Sequence, residues 1–273
     1  MYHDLYVYRQ TGKLTALGLS FCVEIIPELS AGITLNMWDD NLSKNNWTQQ
    51  INRQMILTSS GKLLRQSTRT ETFKMKGVNT SLGLLYETGC LNIGLVVKTP
   101  FTGSIDHAFE KNQRSKDYLK MPLSLGAGVA WMFSERFFVS ADFYHTKWQD
   151  YVYITEDNKQ ICPITGYPVE ESDIYPTNQI RMGTEYIFFI TDYQIAVPVR
   201  AGVFYDPAPD IKHPDDFYGG SLGMGLSFSK FSLDLAYQFR FGKNVGKIMI
   251  QARDFSEDIY ENTVYISCIY YLD

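Results

Sequence analysis

The stretch SLGMGLSFSKFSLDLAYQFRFG (221–242) leaves very few folds open to this chain. Leu222, Met224, Leu226 and Phe228 share one parity, and only Ser or Gly occupies the other. After Ser229-Lys230 the pattern resumes: Phe231, Leu233, Leu235, Tyr237, Phe239 and Phe241 alternate with Ser232, Asp234, Ala236, Gln238 and Arg240. Successive side chains of a strand point to opposite faces, so period two means strands and excludes a helix. A two-residue loop makes a tight hairpin and keeps Phe228 and Phe231 on one face. Two kinds of sheet satisfy this pattern. A soluble sandwich buries the large face between sheets, whereas a membrane barrel turns it to lipid and lines its lumen with the polar face.

The pattern recurs at 17–25, 29–37, 82–86, 91–97, 121–133, 137–148, 179–190, 195–205 and 263–271, with a weaker first strand at 2–8. About twelve strands result, in one domain over 1–273. Their connections alternate. Short ones fall at 26–28, 87–90, 134–136, 191–194 and 229–230; mostly long, polar ones fall at 40–67, 102–120, 149–177, 206–216 and 243–258. A sandwich has no reason for that alternation, but outer-membrane barrels have short periplasmic turns and long outer loops. Aromatics, 15% of residues, gather at strand ends. Trp131, Phe133, Phe137, Phe138, Phe188, Phe189, Phe228, Phe231, Tyr270 and Tyr271 mark one level. Phe143, Trp148, Phe204, Tyr205, Phe217, Tyr218, Phe239 and Phe241 mark the other. Two girdles at the membrane interfaces are expected. The fold class is therefore all-β, a transmembrane antiparallel β-barrel.

Composition removes other classes. A net charge of -5 leaves no basic stripe for nucleic acid. No apolar run approaches the roughly 18 residues of a membrane-spanning helix. Cys22, Cys90, Cys162 and Cys268 have neither metal spacing nor a disulfide pattern, and read as packing residues. The start MYHDLYVYRQTGK carries no basic segment followed by an apolar core, so no export signal is read there.

Several stretches resemble the FadL-type outer-membrane transporters, a family that includes long-chain fatty-acid channels and toluene/xylene channels. They are LLYETGCLNIGLVVKTPF (84–101), PLSLGAGVAWMFSERFFVSADFYHTKWQDY (122–151), NQIRMGTEYIF (178–188) and VPVRAGVFYDPAP (197–209). The shared features are a Gly-x-x-Tyr strand end before Thr-Pro-Phe, a strand with Asp then Trp-x-x-Tyr, Arg-x-Gly-x-Glu-Tyr, and Arg-Ala-Gly with a following Tyr. The resemblance implies a monomeric barrel of roughly fourteen strands. It also implies an N-terminal plug, outer loops that capture hydrophobic ligand, and a lumen site. Against that pattern the chain reads as N-terminally incomplete, without plug segment, Asn-Pro-Ala motif and one or two strands. Leu272-Asp273 also extends past the aromatic Tyr271.

The function so implied is passive uptake of hydrophobic small molecules, long-chain fatty acids or aromatic hydrocarbons, across a bacterial outer membrane. The alternative is a structural or adhesive barrel. Lumen-facing Asp142, Glu185 and Arg200 fall at similar depth, and with Asp234 they form either an ion-pair network or, through Arg181 and Arg200, a carboxylate-binding track. Trp47, Ile51 and Met55 recur at helical spacing, one apolar face of a short loop helix that is either a ligand groove or loop packing. Trp38 and Trp148 are further ligand candidates at the outer rim. Glu156, Asp157, Glu170, Glu171 and Asp173 make one loop acidic without a calcium motif, and read as solvated surface. With His3, His107 and His213 in loops or at the terminus, His145 at the rim, and no Gly-x-Ser-x-Gly elbow, catalysis is not expected. Neither metal nor cofactor is expected.

Overall fold

A strand with one apolar parity can hide its backbone polar groups only by pairing on both edges, and antiparallel ladders dominate throughout. The computed structural model describes residues 2–109, 113–246 and 256–271. Among these the strands are β1 (Tyr2–Leu14), β2 (Leu17–Ile26), β3 (Leu29–Trp38), β4 (Asn45–Leu57), β5 (Leu63–Thr88), β6 (Leu91–Lys98), β7 (Phe101–Ala108), β8 (Arg114–Met121) and β9 (Ser124–Ser134). They continue as β10 (Phe137–Thr146), β11 (Val152–Ile154), β12 (Gln160–Ile161), β13 (Thr177–Ile190), β14 (Ile195–Tyr205), β15 (Phe217–Phe228), β16 (Phe231–Val245) and β17 (Glu257–Tyr270).

The ladders sort them into two regions. Eleven strands form a curved wall in the order β2, β3, β5, β6, β9, β10, β13, β14, β15, β16, β17. An outer sheet runs β1, β4, β5, β7, β8, β11, β12. The 26-residue β5 belongs to both. Its first half pairs with β4 and β7, and from Gly77 onward it pairs with β3 and then β6. β2 and β17 are the wall's edges, with no ladder joining them among the described residues.

Two expectations are corrected here. The weak strand at 2–8 is part of β1 and pairs with β4 in the outer sheet, so the wall has eleven strands where about twelve were expected. The connections at 40–67, 102–120 and 149–177 are not irregular loops, because they carry β4, β7, β8, β11 and β12. Polar residues on both parities, as in STRTETFKMK (67–76), gave these strands no hydrophobic period.

The outside of the wall carries the large apolar residues. Leu222 is 67% exposed and Phe21 70%, each on a strand whose other parity holds mostly small or polar residues, and Ile266 of β17 is 74% exposed. A sandwich would have buried them. The buried apolar cluster lies instead in the outer sheet, where Phe73, Met75, Ile105 and Leu119 pack against Trp38, Trp47, Phe101, Met121, Tyr151 and Tyr153.

Two aromatic rows bound the apolar band. Below run Trp131, Phe133, Phe137, Tyr186 and Phe188, each ring 4.7 to 6.5 Å from the next. Above, Tyr205, Tyr218 and Phe241 form a second row, continued through Phe239 to Tyr260. On β15 the rows meet the strand at Phe228 and Tyr218, about 33 Å apart along it at ~3.3 Å per residue. A strand tilt of ~40° reduces this to about 25 Å, the height of a barrel's lipid-facing band. Phe204 and Phe217, expected in the upper girdle, turn inward: Phe204 lies over Gly219, and Phe217 is buried beneath Arg240. Of the four cysteines only Cys162 is buried; the other three are exposed and do not pack a core.

Leu222→Arg should lower the stability of the chain folded in bilayers by about 2–4 kcal/mol, since it sets a charge in mid-band hydrocarbon. Gln238→Arg, on the opposite face, should cost less than ~1 kcal/mol; urea unfolding in liposomes measures both.

Candidate functional site

Strand register decides which inward side chains can meet. Glu185 stands opposite Arg200, and Arg200 opposite Gly223, so the guanidinium spreads over bare backbone. Its Nε donates to Glu185 Oε2 and its Nη1 to Asp234 Oδ1, both at 2.5 Å. One cation thus serves carboxylates on its neighbour β13 and on β16, two strands away across β15. Asp142 does not join them. Its register partner is Arg181, and its strand meets Glu185 at Phe138, four residues or about 13 Å away along β10. Of the four residues expected in one network, the structure brings Glu185, Arg200 and Asp234 together and leaves Asp142 apart.

Small residues keep the inner face hollow. Ser140, Gly183, Gly202 and Ser221 lie in one cross-strand row. A cavity of about 630 Å³ opens there, lined by Arg181, Glu185, Arg200, Phe204, Asp206 and Asp234 among others. A second, of about 470 Å³, lies toward β6 and β9 and shares Asp142 and Arg181 with the first. Arg181 and Arg200, both anticipated as lumen residues, thus line one continuous inner surface.

The outer sheet holds a third cavity of about 740 Å³. Its lining includes Leu14, Trp47, Ile105, Leu119, Tyr151 and His107. Behind Trp47 an aromatic stack crosses three strands: Trp47 on Phe73 at 4.9 Å, Phe73 on His107 at 4.1 Å, and His107 against Phe109 at 3.8 Å. The His107 ring is fixed edge-on as well, with Nδ1 3.0 Å from Asp117 Oδ2 and Nε2 3.2 Å from Glu71 Oε2. Asp117 also accepts from Tyr153 Oη, Ser115 Oγ and the Glu156 backbone N–H. Burial, with the adjacent Asp117 carboxylate, pushes the Tyr153 phenol well above its ordinary value.

The other anticipated ligand residues are placed as follows. Trp47, Ile51 and Met55 sit on β4, a strand and not a helix, paired with Gly12, Tyr8 and Asp4 of β1. Their four-residue spacing still keeps them on one face, but Gln49 and Arg53 share it, so no continuous apolar groove forms. Trp38 donates Nε1–H to Asn79 Oδ1 and lies over Phe101, which makes it packing between wall and outer sheet. Trp148 opens a single 3-10 turn, donates to Thr177 Oγ1 and meets Tyr151 edge-on. The Glu71, His107, Asp117 and Tyr153 cluster was not anticipated. Its one sequence signal was the shared parity of Ile105, His107 and Phe109 against Ser115, Asp117 and Leu119, legible only once 102–120 is taken as a hairpin.

No family model and no curated protein matches the chain. Solved structures do resemble it in fold. A structure described as the CymD monoaromatic hydrocarbon channel aligns over 98% of this chain and 85% of its own, at 15% identity and a TM-score of 0.52. A Pseudomonas aeruginosa FadL homologue aligns over 97% and 73%, at 16% identity and 0.56. The Ralstonia pickettii toluene transporter TbuX aligns over 99% and 69%, at 13% identity and 0.51. At such identities the likeness is one of architecture: a FadL-type barrel wall with an elaborated outer end.

Arg200→Met leaves Glu185 and Asp234 facing each other without their cation. Because the Arg200 side chain is 45% exposed, water screens part of the repulsion, and a loss of about 1–3 kcal/mol is expected. Adding Glu185→Gln should restore part of it in the same unfolding experiment. Tyr153 gives a pH signature. Its folded phenol holds its proton to higher pH than the unfolded one, so its contribution is full below pH ~10 and is lost as pH rises beyond. Protease cleavage of the outer sheet should accelerate above pH ~10, and Tyr153→Phe should flatten that rise.

Proposed function

We propose that this chain is a passive outer-membrane channel for hydrophobic small molecules, acting as a monomer in a bacterial outer membrane. The observation that carries the proposal is the pair of linked lumen cavities, of about 630 and 470 Å³, enclosed by a wall whose other face is apolar. Such volumes suit ligands of drug size or smaller. The partly aromatic cavity of the outer sheet supplies a first stop outside the membrane. Transfer then needs no bond chemistry, since each move exchanges one set of dispersion contacts for another. The solved structures described as a monoaromatic hydrocarbon channel and a toluene transporter support the same reading. So do the stretches that resemble the FadL-type transporters.

The test is uptake by cells expressing the inserted barrel, with labelled hexadecanoate and labelled toluene as probes. Entry of at least one probe should exceed that of cells with the empty membrane by about tenfold. No excess for either, from a barrel shown to be folded in the outer membrane, would sink the channel and leave a structural or adhesive role.

A further inference from the structure

Beyond the wall, β14 and β15 continue as a narrow hairpin through 206–216. Asp206 stays opposite Phe217, and Ala208 and Asp215 exchange both backbone hydrogen bonds at 2.9 Å, so Asp206, Ala208 and Asp215 keep the inward face of Phe217. Asp210 follows two residues on. The tip is tied to two other outer connections. Lys212 N–H donates to the Asp173 carbonyl at 2.7 Å, Ile211 is bridged to Ile174, and Gly246 N–H donates to Asp215 Oδ2 at 2.8 Å. Arg240 is already shared by Asp206 and Glu261, and among the described residues neither Asp210 nor Asp215 has an ion pair. Asp210 is fully buried. Its Oδ1 accepts the Ile211 N–H at 2.7 Å, while Oδ2 has no hydrogen-bond partner among the described residues.

A carboxylate oxygen sealed from water and bonded to nothing is strongly destabilising, and a second carboxylate in the same hairpin adds repulsion. Burial holds the Asp210 carboxyl above its ordinary range, against the Ile211 N–H and with the help of Asp215; burial raises Asp215 too. A proton would relieve Asp210 alone, whereas a divalent cation engages both side chains at once. Among the described residues no third carboxylate, histidine or cysteine converges there. Backbone carbonyls and water must therefore complete the shell, which calcium's large, flexible set of oxygen ligands allows and magnesium's rigid octahedron does not. We infer that Asp210 and Asp215 form a calcium site at the outer rim, whose ion fastens the 206–216 hairpin to the connections carrying Asp173 and Gly246. Neither residue lines the two lumen cavities, so the site stands or falls independently of the channel reading.

The test uses terbium(III) as a luminescent stand-in for calcium on the purified, folded protein. Tyr205, bonded to Asp216, and Tyr175, stacked on His213, are the antennae for its excitation. The wild type should show saturable emission that calcium displaces at about 0.1–1 mM, the range of extracellular calcium modules. Asp210→Asn and Asp215→Asn should each weaken binding by about tenfold or more, since each removes a charged ligand. Glu170→Gln, in the acidic 149–177 connection, should leave it unchanged. Stability gives the second readout: calcium at ~10 mM should raise the wild type's urea midpoint, because the ion binds the folded state alone. In EDTA, Asp210→Asn should be at least as stable as the wild type, having lost an unpartnered buried charge, and should no longer respond to calcium. A purely structural Asp210 would lose stability instead. If Asp210→Asn does not fold, Asp215→Asn, at the less buried position, carries the binding comparison. Emission that calcium fails to displace, that the Asn variants retain, or that Glu170→Gln removes equally overturns the site. So does a wild type whose urea midpoint ignores calcium.

Discussion

A backbone amide in hydrocarbon has no water to turn to, and every other feature of the wall follows from that constraint. Antiparallel ladders satisfy the amides from neighbour to neighbour, and a ladder fixes parity. Once parity is fixed, Leu222, Met224, Leu226 and Phe228 have one side available and Ser221, Gly223, Gly225 and Ser227 the other. The glycines and serines are not idle. They open the volume into which Arg200 spreads and through which a ligand could pass. Lipid-facing bulk and lumen emptiness are two outcomes of one alternation.

The polar side of that alternation is organised by register. Arg200 reaches both Glu185 and Asp234 because its direct partner on the next strand is a glycine, leaving the strand after it within reach. Four residues higher, Asp142 and Arg181 face each other and open the second cavity. The lumen's charge therefore differs from side to side: carboxylates outnumber cations around Arg200, and cations outnumber carboxylates toward β6. In a narrow, low-dielectric passage such gradients act more strongly than the same charges would in water.

The wall was legible in the sequence because period-two alternation is a strong signal wherever one face meets lipid. The pairing of Glu185 with Arg200 followed from counting residues up from the short turns. The counting failed at Asp142, since strands in a tilted sheet are staggered and equal distance from a turn is not equal depth. The outer sheet was not legible, for a different reason. β4 and the first half of β5 are solvated on much of both faces, so residues such as Thr68, Gln50 and Arg53 carry no alternation for a reader to find. Helical spacing of Trp47, Ile51 and Met55 then passed for a helix, although a four-residue step is also an even step along a strand. The buried cluster around His107 depends on pairings between four strands that no local window contains.

β5 crosses from the wall into the outer sheet without interruption and keeps pairing partners on both sides of the crossing. That continuity has an evolutionary side. Inserting a single residue near Gly77 would invert the parity of everything on one side of it, sending Phe73 and Met75 outward or Leu82 and Leu84 into the lumen. Length change within β5 is thus confined to steps of two, or excluded. The tip between β4 and β5, at 58–62, has no such bookkeeping. Lineages descended from this chain should diversify there, while the strand beneath keeps its length.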